Sequence, residues 1–333
     1  MKRLFDGPAS RLTLAAMAAL TLASCLTGRA PQAPAGADGW TPVAVRATDV
    51  QLGPVGAELA EGVRFMGGLN IRSDEPLWNS LSDIKRLPGG GFVTVSDQGD
   101  LGRFQIELDA GGRLRGVSGA ALRDLTGEDE QPLTVKAWSD SEGLAVLRNG
   151  DLLVSFERNH RIWTYGPGSN PAARPYPVRG PDFAFTENDG MEGIASDGAD
   201  GWIATGESGG VWRCDPAACT VLQPPPATPL EDRDLRITGI DKDPAGDGWF
   251  VVQRSFSPPF NVRGVVRRMA ADGTLGPILI DLRMPAAVDN FEGVAAVPGR
   301  GGATRLYILS DDNASPTQRT LLHAFDVPVR ASR

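Results

Sequence analysis

The chain is predicted to be an all-β protein, a β-propeller of four-stranded blades. A dipeptide, Glu-Gly, recurs before short apolar runs. The recurrence has a period near 50 residues, and Gly 41 and Pro 26 supply many tight turns without sustained helical periodicity. Four short strands per period describe a propeller blade, whereas a β-helix or a sandwich has a shorter period or none.

The repeat units can be followed in order. Glu142-Gly143-Leu144-Ala145, Glu192-Gly193-Ile194-Ala195 and Glu292-Gly293-Val294-Ala295 open three first strands. Ser82-Asp83-Ile84 and Thr238-Gly239-Ile240 are variants in step with them, and the anchors 83, 142, 192, 239 and 292 lie 47 to 59 residues apart. Each is followed by a turn such as Asn149-Gly150 or Asp247-Gly248, then by a second apolar run (FVTVS, LLVSF, WIATG, WFVVQ, LYILS). Third and fourth runs follow, for example Arg161 to Tyr165 and Leu275 to Leu282. The last unit has three strands, ending at LLHAFDV, so an N-terminal strand around Val43 to Leu52 is expected to close the last blade. Five repeats are visible. Residues 53 to 80 hold parts of a sixth but not four comfortable strands, which leaves five or six blades.

The N-terminus sets the expected compartment. Lys2, Arg3 and Arg11 precede an apolar stretch from Leu12 to Ala23, too short for the roughly 20 residues of a membrane span. Leu22-Ala23-Ser24-Cys25 is a lipobox, although Asp6 sits oddly among the basic residues. The expected layout is a lipoprotein signal peptide over 1–24, lipidated Cys25 with a flexible tether over 25–43, and the propeller over 44–333. Leu26 stands where Asp would retain a lipoprotein at an inner membrane, so the expected address is the outer membrane, facing the periplasm. Of three cysteines, Cys25 goes to lipid, and Cys214 and Cys219 are left for a loop-closing disulfide rather than a metal pair. The net charge is -8; the signal carries three basic residues and one acid, so the mature chain is more acidic still. Nucleic acid is thereby excluded as an expected partner, and attachment to membrane is expected through the lipid alone.

Acids are locked to the repeat. One marks the start of strand one and another the end of strand two: Asp83 with Asp97, Glu142 with Glu157, Glu192 with Glu207, and Glu292 with Asp311. The fourth unit breaks the pattern, with Gly239 in place of one acid and Arg254 in place of the other. In an antiparallel hairpin these positions share one end. Eight carboxylates and an arginine are therefore expected to crowd one mouth. Like charges in a shared site repel, and a hard cation relieves them; Ca²⁺ suits a flexible carboxylate ring in an exported protein. Strand-end capping is the plainer role for any single acid. The expected metal ligands are Asp83, Glu142, Glu192 and Glu292. The expected catalytic groups are Asp97, Glu157, Glu207, Asp311 and Arg254. Arg158 and His160 lie in the following loop.

Other motifs fail. Gly206-Glu207-Ser208-Gly209-Gly210 matches a nucleophile elbow, but that needs a strand-to-helix turn and a suitably placed histidine, and only His160 and His323 exist. Asp241-x-Asp243-x-x-x-Asp247-Gly248 has the wrong spacing for an EF-hand and suits a hairpin turn.

SDSEGLAVLRNGDLLVSFERNHRIWTY (139–165), DNFEGVAAV (289–297) with LYILSDDNASPTQRTLLHAF (306–325), VSDQGDLGRF (95–104) and QRSFSPPF (253–260) resemble the phytase-like domain of bacterial proteins named for esterase-like activity. The resemblance spans roughly residues 60 to 328. It implies a propeller and a metal-dependent hydrolase of phosphate or other esters, acting on a small anionic or ester substrate. The Asp-Asp-Pro-Ala-Ile-Trp run of the alkaline β-propeller phytases is absent, which argues against phytate. Two alternatives stay open: a non-catalytic scaffold binding envelope proteins or glycans, and a metal-dependent lactonase-like propeller.

Overall fold

Residues 36, 38–259 and 261–329 are described by the computed structural model; the signal segment and Cys25 lie outside them. Five antiparallel sheets of four or five strands form a five-bladed propeller. The innermost strands, in order, are Leu81–Arg86, Ser141–Val146, Gly193–Ser196, Arg236–Lys242 and Asn290–Pro298. Each touches the next, and the fifth returns to the first, which closes the ring.

Burial between blades explains the apolar runs. A middle strand such as Phe92–Ser96 is buried at every residue because both of its faces meet a neighbouring blade. Five core clusters result, one at each blade-to-blade interface. Between the first and second blades, for instance, Val93, Val95 and Leu101 meet Leu152, Val154 and Phe156. Burying such side chains stabilises the ring by about 1.5–3 kcal/mol each.

Closure is N-terminal, as the three-stranded last unit implies. Arg64–Ser73 supplies the fourth strand of the last blade, pairing with Thr320–Val327. Val45–Val50 then adds a fifth strand outside it. Residues 53 to 80 thus complete existing blades: Ala57–Leu59 extends the fourth, and no sixth sheet is found among the described residues. The folded body also begins before residue 44. Thr41–Pro42 pairs with the outer strand Leu114–Asp124, and Trp40 is buried beneath the Arg103 guanidinium, 4.4 Å from its ring centroid. A single aromatic anchor inside an Ala/Pro/Gly-rich stretch carries that boundary.

Cys214 and Cys219 form a disulfide between register partners at a hairpin tip. The hairpin joins the third and fourth strands of its blade, so the tip lies at the end opposite the acids.

Candidate functional site

The Glu-Gly repeat has a geometric cause. Pairing between the first and second strands slips by one residue at Leu81/Asp83, Ile237/Gly239 and Phe291/Gly293, and at the matching point of the second blade. The extra residue of each bulge is Ser82, Glu142, Thr238 or Glu292. A bulge re-aims the side chain it carries, here at the mouth. The glycine after it lies where adjacent first strands press together. A Cβ on Gly239 would sit 2.1 Å from the Glu292 carbonyl oxygen, and one on Gly143 would sit 2.6 Å from that of Glu192. Glutamate faces the opening and glycine seals the ring.

Asp83 therefore occupies the glycine position, not the glutamate position. Its register matches Gly293, one residue beyond the mouth-facing Ser82. Its side chain fills the channel, where Lys85 Nζ lies 2.5 Å from Oδ2. It also accepts the backbone N–H groups of Ile84 (2.7 Å), Leu144 (2.9 Å) and Val294 (3.3 Å). The expectation of Asp83 as a metal ligand is corrected on this ground, since its carboxylate is saturated inside the propeller.

The other expected acids converge. The second-strand acids are fixed by one recurring bond: the N–H of Asp97, Glu157 and Glu207 donates to the carbonyl of Ser80 (3.1 Å), Asp140 (2.8 Å) and Gly190 (3.1 Å). Asp311 pairs in register with Asn290. Arg254 Nη2 reaches Glu292 Oε1 (3.2 Å) and Glu207 Oε1 (3.5 Å), so the arginine bridges blades three and five. Asn290 Nδ2 donates to Glu292 Oε1 (2.7 Å).

Two participants, Asp140 and Lys136, escaped the sequence reading of the ring, and Arg158, read there only as a loop residue, joins them. Asp140 is buried two residues before Glu142, and alternate strand residues share a face. Arg158 Nε holds its Oδ2 at 2.6 Å, Lys136 Nζ bonds its Oδ1, and Lys136 also lies 2.8 Å from Asp97 Oδ2. The signal was present: Asp-x-Glu-Gly at 140–143 parallels Asn-x-Glu-Gly at 290–293. Asp140, Glu142 and Glu157 can bring ligand oxygens within 4.8 Å of one another, a separation that one cation can bridge.

Electrostatics follow from the crowding. Burial first, then the charges of Glu192, Asp140 and Glu292, pushes Glu142 well above the usual carboxylate range. Burial with Glu207 and Glu292 does the same to Glu192, and burial with Glu292 and Asp97 to Asp311. Glu157 is pushed up to about 7 by burial and by Asp140 and Glu207. Glu292 also stands at about 7, burial outweighing the relief from Arg254. Asp97 is raised by burial despite Lys136. Several buried polar atoms here have no partner: Asp97 Oδ1, Asn290 Oδ1, Gln253 Oε1 and Arg254 Nε. Buried polar groups are nearly always satisfied, so orphaned oxygens beside crowded carboxylates fit a hard cation.

Serine chemistry finds no footing. Ser208 sits in a turn between the strands Trp202–Thr205 and Val211–Cys214, with no helix after it, and its Oγ accepts from Arg236 Nη1 at 2.9 Å. His323 is sealed in the core, its Nε2 2.8 Å from the Ala287 carbonyl, and burial pushes it down to about 4. His160 Nε2 contacts the Thr186 carbonyl at 2.8 Å. Asp243 of the aspartate-rich turn accepts the Ala245 N–H (3.0 Å) and Arg268 Nε (3.1 Å), an ordinary turn arrangement.

Fold and site together define a five-bladed propeller with a carboxylate-lined mouth. The chain belongs to the phytase-like family described as having esterase-like activity of phytase, whose model matches residues 76–314. No curated protein matches it. Among solved structures, the PQQ-bound aldose sugar dehydrogenase of Streptomyces coelicolor aligns over 81% of this chain and 99% of its own, with 12% identity and a TM-score of 0.45. Streptogramin B lyase aligns over 79% and 96%, with 12% identity and a TM-score of 0.39. Likenesses at that level carry no information about substrate.

Proposed function

We propose that this is a Ca²⁺-dependent hydrolase of phosphate or other esters, held at the cell envelope by a lipid on Cys25. The reading is carried by the Asp140–Glu142–Glu157 group, whose oxygens can share one cation within 4.8 Å. These residues would hold the ion, and Glu192 and Glu292 line the same mouth. A bound Ca²⁺ would polarise the ester oxygen and lower the pKa of a water beside it.

The chain's own residues supply the rest. Lys136 and Arg158 fix Asp140 in place from either side. Glu207 and Asp311, in the same acidic ring as Arg254 and Glu292, would take a proton from the attacking water. With no histidine in the ring, the proton must move between carboxylates. Burial brings Glu292 to about 7, where a carboxylate can act as base or acid near neutrality. Arg254 would balance negative charge developing on the substrate.

The test is turnover of phosphate mono- and diesters and short carboxylate esters by residues 26–333, with Ca²⁺ and with chelator. Calcium-dependent turnover supports the reading. Failure on every substrate, with a melting temperature still raised by Ca²⁺, would point to a structural ion and a binding scaffold.

A further inference from the structure

A cleft of about 810 Å³ opens beside the mouth, between the fourth and fifth blades. Its size falls within the roughly 300–1,000 Å³ range of small-molecule sites. Phe256, Val262, Met284 and Val288 give it an apolar lining, and Met284 is 56% exposed at the rim. Asp289 and Arg319, paired at 3.3 Å, close one side.

Two covalent connections bind this cleft to the acidic ring. Phe256 stands two residues from Arg254 on the strand Trp249–Ser257, hence on the same face and about 7 Å along. Asp289 directly precedes Asn290, whose side chain bonds Glu292. A molecule lying against Phe256 is therefore two strand residues, about 7 Å, from Arg254. The charge of the mouth restricts what can lie there. Asp97, Asp140, Glu142, Glu157, Glu192, Glu207, Glu292 and Asp311 outnumber Lys136, Arg158 and Arg254, each already ion-paired, and Arg236, the register partner of Arg254, whose guanidinium donates to Ser208 Oγ and the Leu230 carbonyl. A polyanion would meet net repulsion from a mouth whose acids outnumber its bases.

We propose that the cleft receives the apolar arm of the substrate, and that the substrate is an ester with an acyl or aromatic group and little negative charge, rather than a polyphosphorylated molecule. This rests on the hydrolase reading for its ester, but not for its apolar site.

Two measurements on residues 26–333 separate the two claims. In Ca²⁺, KM for 4-nitrophenyl esters from acetate to octanoate should fall with chain length, by up to roughly fourfold per methylene. Met284→Glu should flatten that slope. In chelator, 1-naphthol should bind the wild type by fluorescence titration and bind Met284→Glu at least tenfold more weakly. A chain-length slope identical in the variant, or no naphthol binding by the folded wild type, overturns the proposal. If naphthol binds as expected but no ester is turned over, the apolar site stands and the hydrolase reading falls.

Discussion

Lys85 Nζ lies 2.5 Å from Asp83 Oδ2 at the centre of the propeller, with both side chains sealed from solvent. Lys85 also donates to the Val294 carbonyl at 3.2 Å, while Asp83 accepts N–H groups from the first, second and fifth blades. Asp241, on the fourth, accepts the Ala296 N–H of the fifth at 2.7 Å and faces the Lys85 charge. The pair occupies positions that are Gly143 and Ala145, or Gly293 and Ala295, in other blades. It works as an ionic plug that staples blades together.

Breaking the plug at one end leaves a buried charge without its partner. Lys85→Ala is expected to cost about 3–5 kcal/mol. Asp83→Gly combined with Lys85→Ala should cost less than the sum of the two single changes, by about 2 kcal/mol or more. Urea unfolding of the four proteins measures the coupling; additive losses would mean that the two groups do not act as a pair.

Stability should depend on pH in a direction set by the acids. Glu157, Glu292 and Asp83 at about 7, and Asp241 at about 6, all lie above their unfolded values. The native state therefore binds more protons between pH 4 and 7, and this contribution is lost as pH rises through 7. His323, pushed down to about 4, works the other way, losing stability as pH falls below about 6.5. In chelator, the melting temperature is expected to fall from about pH 5.5 to 8, and Ca²⁺ should restore it most at the alkaline end. A melting temperature rising over that interval in chelator contradicts the charge crowding.

Arg254 neutralises Glu207 and Glu292 in the free protein and is expected to balance substrate charge during reaction. Arg254→Gln should lower kcat by about 10²–10³. It should also raise the proton affinity of Glu292, displacing the acidic limb of the pH–rate profile upward. A lower rate with an unmoved profile would assign Arg254 a purely structural role.

Reducing the Cys214–Cys219 bridge opens a loop with a sequence separation of 5. The loop-entropy relation gives a loss of about 2 kcal/mol. The hairpin tip lies away from the acids, so ester turnover of the folded protein should not change. Unfolding curves and rates measured with and without reductant check both statements.

The propeller was legible because its period, its turns and its unbroken apolar runs all reflect one packing rule, that every blade is buried on both sides. Most of the acid ring was legible for the same reason, since Glu142, Glu192 and Glu292 recur before the sealing glycine of their blades, with Glu142 and Glu292 carried on a bulge. What the spacing could not reveal was the bulge itself. One extra residue decides whether a side chain enters the mouth or the channel, and it places Asp83 with the glycines. Asp140 was hidden because only one unit pairs an acid there with a glutamate two residues on. Arg64–Ser73 was hidden because its Gly67-Gly68 interrupts the strand pattern; a Cβ at Gly68 would lie 2.5 Å from His323 Nδ1.

The most direct test is calorimetric Ca²⁺ titration of residues 26–333 and of the variant Glu142→Gln with Glu157→Gln, at pH 7.5. The account predicts saturable binding with proton release in the wild type. In the variant it predicts affinity at least a hundredfold weaker, together with a higher metal-free melting temperature because like charges have been removed. Equal affinity in the two proteins, or no binding in either, would contradict a metal centre at the propeller mouth.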